Sequence, residues 1–254
     1  MTARSGVLIV SVLAGFLATA CTSFYEVPIE TPIQPKLDVT NYSRVLIAGF
    51  VAGGSDEVDA NIETVRLLRS QLRSKSDLRV IEDDVLPLIE IAQEQAREAA
   101  ADSEKPGLPD KIGSENDLEA YERVFANVDY WKRLGEEYQN PLIVTGTILF
   151  APHQRSGFVT REREVYDQFG RRVTQPVRTY MERKGFILRP KFMFIDGRTG
   201  ATLYSETFRE EVLYNAQQNT PALSSYFELM DRLLPNFLNT LSAQKIRGTR
   251  ILLK

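Results

Sequence analysis

Few residues in this chain are of a type that carries bond-making chemistry. Among 254 residues there is one histidine, His153, and one cysteine, Cys21. A nucleophilic triad needs a base, usually histidine, beside an activated Ser or Cys. A zinc site needs three or four His, Cys or carboxylate ligands. His153 follows Pro152 at the end of an expected strand and reads as a surface or capping residue. Cys21 stands at the far N-terminus behind an apolar run. No catalytic, cofactor-binding or metal-ligating residue is expected, and no small-molecule substrate.

Three further stretches invite a chemical reading. Gly53-Gly54-Ser55 lies between a strand and a helix, where phosphate loops occur, but neither Gly-Lys-Ser/Thr nor Gly-x-Gly-x-x-Gly is present. Asp56, Glu57 and Asp59 crowd the helix start; they suit its dipole and cap and would repel phosphate. A tight turn before a capped helix is expected. Glu82-Asp83-Asp84 reads as a solvated helix start with Asp83 or Asp84 as N-cap; half a metal site or a carboxylate pair is the alternative. Residues 196–200, Asp-Gly-Arg-Thr-Gly, offer one carboxylate where calcium recruits several, so a hairpin turn is expected.

Charge is the more informative feature. Residues 82–140 contain 16 acids and 6 bases, whereas residues 154–191 contain 10 bases and 4 acids. The basic stretch holds Arg161, Arg163, Arg171, Arg172, Arg178 and Arg183, interleaved with Phe158, Tyr166, Phe169, Tyr180 and Phe186. Such a surface suits an anionic partner: lipid headgroups, a wall polymer, a protein, or the chain's own acidic region in head-to-tail association. Two ordinary solvated faces are the alternative.

The elements that must position these residues follow from periodicity. Residues 44–51 read as a buried strand. Val58, Ile62, Val65, Leu68 and Leu72 recur at helical spacing. Residues 78–82 form a short strand and 83–100 a second helix, with Pro87 in its first turn. A Pro/Gly-rich loop covers 103–117. Leu118, Tyr121, Val124, Phe125, Val128, Trp131 and Leu134 line a third helix. Residues 142–150 read as a buried strand, 156–167 and 172–181 as a polar hairpin around Gly170, and 186–195 with 202–213 as another hairpin. A final helix over 221–243 presents Leu223, Phe227, Met230, Leu234, Phe237 and Leu241. The expected class is α/β (α+β). It is a single domain over 43–254: a mixed sheet with an N-terminal strand-helix-strand-helix part, antiparallel hairpins, an acidic helical insertion at about 95–135, and a C-terminal helix packed on the sheet.

The N-terminus carries an address. Arg4 precedes the nearly uncharged run of residues 6–20, shorter than the roughly 20 apolar residues that cross a bilayer and ending in small residues, as a cleaved signal does. An uncleaved anchor helix is the alternative. Leu17-Ala18-Thr19-Ala20-Cys21 resembles a bacterial lipoprotein lipobox, with Ala18 where that family prefers Leu. The resemblance implies cleavage after residue 20 and lipid on Cys21. Thr22, in place of Asp, implies the outer membrane. Residues 22–42, with Pro28, Pro32 and Pro35, read as an extended tether, although part of it could pack as a strand.

Three pieces resemble the periplasmic fold shared by the curli secretion lipoprotein CsgG, the peptidoglycan-synthase activator LpoB and the N-terminal domain of TolB: RVLIAGF, PLIVTGTI and FMFIDGRTGATLYSETF. With the missing His, Cys and motif constellations, the expected role is a lipid-anchored, non-enzymatic accessory or assembly factor on the periplasmic side of the outer membrane, LpoB-like by that resemblance, with an envelope protein partner or self-association; the expected export leaves no nucleic acid to bind. A CsgG-like oligomeric secretion component and a lipid-anchored envelope enzyme with a carboxylate-based site are the alternatives. Against a CsgG-like pore, Arg161, Glu162, Arg163 and Glu164 charge both faces of the candidate spanning strand, where lipid-facing strands alternate apolar and polar.

Overall fold

The structure is a computed structural model that describes residues 24–100, 108–109, 111–218 and 220–253. The signal segment 1–20, Cys21 and Thr22 lie outside the described residues. The chain divides into two compact units, residues 35–242 and a smaller one that joins residues up to 34 with 243–254.

In the larger unit, β2 (Arg44–Gly54) is followed by α1 (Ala60–Lys75), β3 (Arg79–Ile81) and α2 (Leu88–Ala100). Then come α3 (Glu115–Tyr121), a 3-10 turn (Glu122–Ala126) and α4 (Val128–Glu137). Two long strands, β4 (Leu142–Tyr166) and β5 (Arg172–Asp196), precede β6 (Thr202–Thr207), β7 (Glu210–Asn215) and α5 (Ala222–Leu241). The sheet runs β3-β2-β4-β5, with β6 and β7 both pairing with the outer edge of β5. β2 is parallel to β3 and β4, and the rest is antiparallel. The mixed sheet, the antiparallel hairpins and the C-terminal helix match the expected class.

Alternation along the strands buries both faces of the sheet. On one face Val45, Ile47, Val144, Phe150, Phe192 and Phe194 meet α1 and α5 through Leu68, Leu72, Tyr226, Leu233 and Phe237. On the other, Leu46, Ala48, Ile143 and Ile195 meet α2, α3 and α4 through Leu88, Leu118, Tyr121, Phe125 and Trp131. The acidic segment read as an insertion is therefore the layer that covers the second face. Among its described residues the apolar side is consumed by the sheet and no carboxylate is buried, while Glu115 and Glu122 pair with β5.

Glycines at two strand positions let the layers close. Gly49, at φ +140°, sits where the β2 register shifts, so Phe50 turns to the α1–α5 side. Gly146, at φ +143°, is packed so that a Cβ would overlap the Lys191 carbonyl oxygen. Only glycine adopts such backbone freely. The Thr145 hydroxyl donates to Gly49 O at 2.8 Å, tying the Thr-Gly pair of β4 to the bulge of β2.

Several boundaries move from expectation. The second helix starts at Leu88, because the Leu86 N–H is committed to Ala48 O at 2.8 Å and Pro87 follows it. The third helix breaks at Asn127, whose side chain accepts from Tyr130 N at 3.1 Å and caps α4. Ile62, Val128 and Leu223, expected in helix cores, are exposed. The strand over 142–150 and the polar hairpin fuse into β4 and β5, so His153 lies mid-strand rather than at a strand end. Residues 202–213 split at Phe208, whose N–H donates to Pro190 O at 2.9 Å, into β6 and β7.

The smaller unit corrects the tether. β1 (Phe24–Ile33) pairs antiparallel with β8 (Gln244–Leu253), register Phe24 to Leu253 through Ile33 to Gln244. Pro28 and Pro32 do not prevent this because a proline is tolerated where its missing N–H faces an open edge. The expected domain 43–254 thus gives up residues 243–254 to the ribbon and takes in 35–42, of which Leu37, Val39 and Tyr42 pack on the core.

Candidate functional site

The first place to test is the Gly-Gly-Ser turn. A cleft of about 630 Å³ opens there, at the carboxyl end of β2 between the starts of α1 and α2. The turn amides are already used: Gly54 N–H donates to Ile112 O at 2.9 Å and Ser55 N–H to Phe150 O at 2.6 Å. Asp59 caps α1 by accepting from Ile62 N at 3.0 Å. Asp56 pairs with Lys111 at 2.7 Å, and Glu90 lines the far wall. With its amides engaged and carboxylates at its rim, the turn is not a phosphate cradle.

The other chemical candidates are likewise committed to structure. Asp83 accepts from the Tyr138 hydroxyl, which holds the carboxyl below its usual range and pushes the phenol up to about 12. Asp196 accepts from Arg198 N at 3.0 Å and Thr199 Oγ1 at 2.9 Å, closing the Asp-x-x-Thr-Gly turn, and Gly200 takes φ +74°. His153 Nε2 stands 3.6 Å from Glu211. Among the described residues no three His, Cys, Asp or Glu side chains gather as metal ligands would.

The predicted basic hairpin becomes the feature that stands out. β4 is paired with β2 only as far as Phe150, and β5 with β7 only from Arg183 onward. Beyond that, β4 and β5 pair with each other alone. The free part runs from Ser156 to Tyr166 on β4, eleven residues or ~36 Å at about 3.3 Å per residue.

The register sorts its side chains. Even-numbered positions continue the α1–α5 face and odd-numbered ones the α2–α4 face. The even face carries Phe158 opposite Tyr180, rings 5.4 Å apart and edge-on. Arg178 lies over Phe158 at 5.4 Å and Arg172 over Tyr166 at 5.9 Å, with Glu164 3.9 Å from Arg172. These cross-strand pairs hold the ribbon together, each contributing about 0.2–1 kcal/mol. At the tip Asp167 accepts from Phe169 N, Arg171 N and Arg171 Nε, all at 2.9 Å. Those bonds, the Arg171 backbone N–H first, hold its carboxyl below the usual range.

The odd face is different. It presents Arg161, Arg163 and Arg183 with Val159, Val165, Val173, Val177 and Met181, and it carries no carboxylate between Glu211 at its foot and Asp167 at its tip. Among the described residues Arg161, Arg163 and Arg183 have no ion-pair, hydrogen-bond or ring partner. The six predicted arginines therefore do not form one cluster. Arg171, Arg172 and Arg178 stabilise the arm, and Arg161, Arg163 and Arg183 share the face left open. Phe186, expected among the exposed aromatics, stacks on Phe150 at 4.8 Å instead. The sequence carried this sorting as alternation, Arg161-Glu162-Arg163-Glu164, but not which face the core would claim.

At the foot of the odd face, Arg155 at 3.4 Å and Arg209 at 3.7 Å join His153 around Glu211. Further along, that face of β5 is covered by the acidic layer, where Arg189 pairs with Glu115 and Lys191 reaches Glu122 at 2.6 Å.

No protein-family model matches the sequence, and no curated protein matches it. Among solved structures, the lipoprotein GNA1162 from Neisseria meningitidis aligns at 11% identity over 78% of this chain and 99% of its own, TM-score 0.34. A neuraminyllactose-binding hemagglutinin homolog from Helicobacter pylori aligns at 10% identity over 85% of this chain and 92% of its own, TM-score 0.36. At these scores neither likeness carries an argument about fold or function.

Proposed function

We propose that this chain is a lipid-anchored envelope protein without a catalytic role. It acts as an accessory or assembly factor that holds a partner on the open face of the β4–β5 arm. The observation that carries the reading is the sorting of charge on that arm: an aliphatic face with three unpartnered arginines and no carboxylate, held out from the sheet by aromatic pairs on its reverse. The partner chemistry that fits is acidic with apolar spacing, as on an envelope protein or anionic polymer. Cys21 is the lipid attachment point, and the arm works on the periplasmic side of the outer membrane.

A CsgG-like secretion role would need the arm to cross a bilayer. Its eleven free residues are long enough for the roughly 9–11 a spanning strand requires. However, Arg161 and Arg163 charge one face and Glu162, Glu164, Arg172 and Arg178 the other, so neither face offers lipid an apolar band.

The test is a crosslinked pull-down from native membranes with wild type and the Arg161→Glu/Arg163→Glu/Arg183→Glu chain. Loss of the captured partner, with an unchanged circular dichroism melt, supports the reading. Equal capture by both chains overturns the arm as the docking site.

A further inference from the structure

We infer that the β1–β8 ribbon is a bilayer-surface element whose apolar face lies on anionic lipid beside the N-terminal attachment. It rests on the proposed membrane attachment at the N-terminus, but it concerns a separate surface.

A two-stranded ribbon is marginally stable in water unless something covers a face. β1 reads Phe-Tyr-Glu-Val-Pro-Ile-Glu-Thr-Pro-Ile, so Tyr25, Val27, Ile29, Thr31 and Ile33 share one face, and Glu26, Pro28, Glu30 and Pro32 take the other. On the first face Tyr25 is 71% exposed, Ile29 40% and Ile33 39%.

A third strand is a poor cover. Pro28 pairs with Thr249 and Pro32 with Lys245. Having no N–H, these prolines fit the ladder only with their main chain turned to the open edge, which then lacks donors at both positions. Arg247, opposite Glu30, adds a charge to β8, and charge blunts an edge in the same way. The face, not the edge, is what the ribbon offers.

Charge and position choose the occupant. Residues 243–254 hold Lys245, Arg247, Arg250 and Lys254 and no acid. Arg247 Nε pairs with Glu30 at 2.9 Å. By register Arg250 stands opposite Val27 on the apolar face, while Arg247 lies opposite Glu30 on the reverse. An apolar face carrying one base, with a tyrosine at one end, is the pattern of an element lying in a headgroup layer. The uncharged run 6–20 ends four positions before Phe24. A chain reaches at most about 3.6 Å per residue, so β1 begins within ~15 Å of the point where that run, or lipid on Cys21, meets the bilayer.

The experiment uses the full-length chain in phosphatidylcholine vesicles containing phosphatidylglycerol, with and without bromine on the acyl chains. Flotation confirms attachment. Ile29→Trp reports the apolar face and Thr249→Trp the opposite one; Trp131 is fully buried and supplies the background. The emission added by Ile29→Trp should fall by roughly half on bromination while that of Thr249→Trp holds, with the contrast weakening when phosphatidylglycerol is omitted. Equal quenching of both variants, no quenching of either, or crosslinks between the Ile29 faces of two copies overturns the inference. The mass of the N-terminal peptide reads Cys21 separately. An unmodified Cys21 with Ile29→Trp still quenched would end the lipoprotein reading and leave this inference standing. Acylated Cys21 without quenching would do the reverse.

Discussion

Lys191 of β5 and Glu122 of the 3-10 turn form an ion pair at 2.6 Å on the α2–α4 face of the sheet. Both ends are partly exposed, so the pair contributes at most modestly to stability. Its significance is positional. With Arg189 and Glu115 it matches a basic strand face to the acidic helical layer, and the same face continues beyond the layer as the arm carrying Arg183, Arg161 and Arg163. One strand face thus meets acid at one end and is left without it at the other.

Replacing Gly146 by alanine should destabilise the larger unit by about 3 kcal/mol or more, because a left-handed backbone is combined with a Cβ driven into the Lys191 carbonyl. Urea unfolding measures it. A loss within about 0.5 kcal/mol, ordinary for a surface change, would contradict the packing of β4 on β5 described above.

Trp131 is fully buried and its Nε1–H donates to Val124 O at 2.9 Å, bridging α4 and the 3-10 turn. Trp131→Phe should cost about 0.5–1.5 kcal/mol by removing a buried hydrogen bond, since Val124 O still accepts from Asn127 N at 3.4 Å, and Trp131→Ala about 3–5 kcal/mol by leaving a cavity. The wild-type tryptophan emission should be blue-shifted and inaccessible to iodide; ready quenching would mean that this layer does not close.

Alkaline titration should find delayed phenols. The hydrogen bond to Asp83 pushes Tyr138 up to about 12, and burial pushes Tyr42 up to about 12. Both stand above the ordinary tyrosine value of about 10. The native state keeps these protons when the unfolded chain has lost them, so their stabilisation is complete below about pH 10 and is lost as pH rises to about 12. Tyr138→Phe should remove one delayed phenol from the ultraviolet difference titration and flatten part of the alkaline loss. An unaltered delayed class would show that the contact is not made in solution.

The tip of the arm should loosen in acid. Asp167 is held below the usual carboxylate range by the N–H groups it accepts from, so its stabilisation is present above that range and is lost as pH falls through the lowered value. Asp167→Ala should speed amide exchange at Phe169 and Arg171 at neutral pH and leave the buried part of β4 unchanged. Exchange in the variant as slow as in wild type would remove Asp167 as the clasp.

Much of this was legible along the chain. The Leu68 and Leu72 stripe of α1, the Asp59 cap, the Asp196 turn and the Arg-rich hairpin follow from periodicity and turn chemistry, which act over a few residues. The joins were not. The polar hairpin read as separate from the 142–150 strand because hydropathy changes at Pro152, whereas the backbone ladder does not depend on side-chain polarity. The acidic segment looked like an addition because its charge is outward and its apolar side pairs with strands distant in sequence.

By itself the sequence determined the local elements, the two opposite charge blocks and the identity of the arginines on the hairpin. These depend on residue type and spacing alone. The tertiary structure alone decided that β1 closes on β8 across more than 200 residues, and that the sheet is covered on both faces. It also decided that Arg161, Arg163 and Arg183 lie apart from Arg172 and Arg178. Alternation assigns side chains to two faces; which face becomes core and which stays open is fixed only when the layers pack.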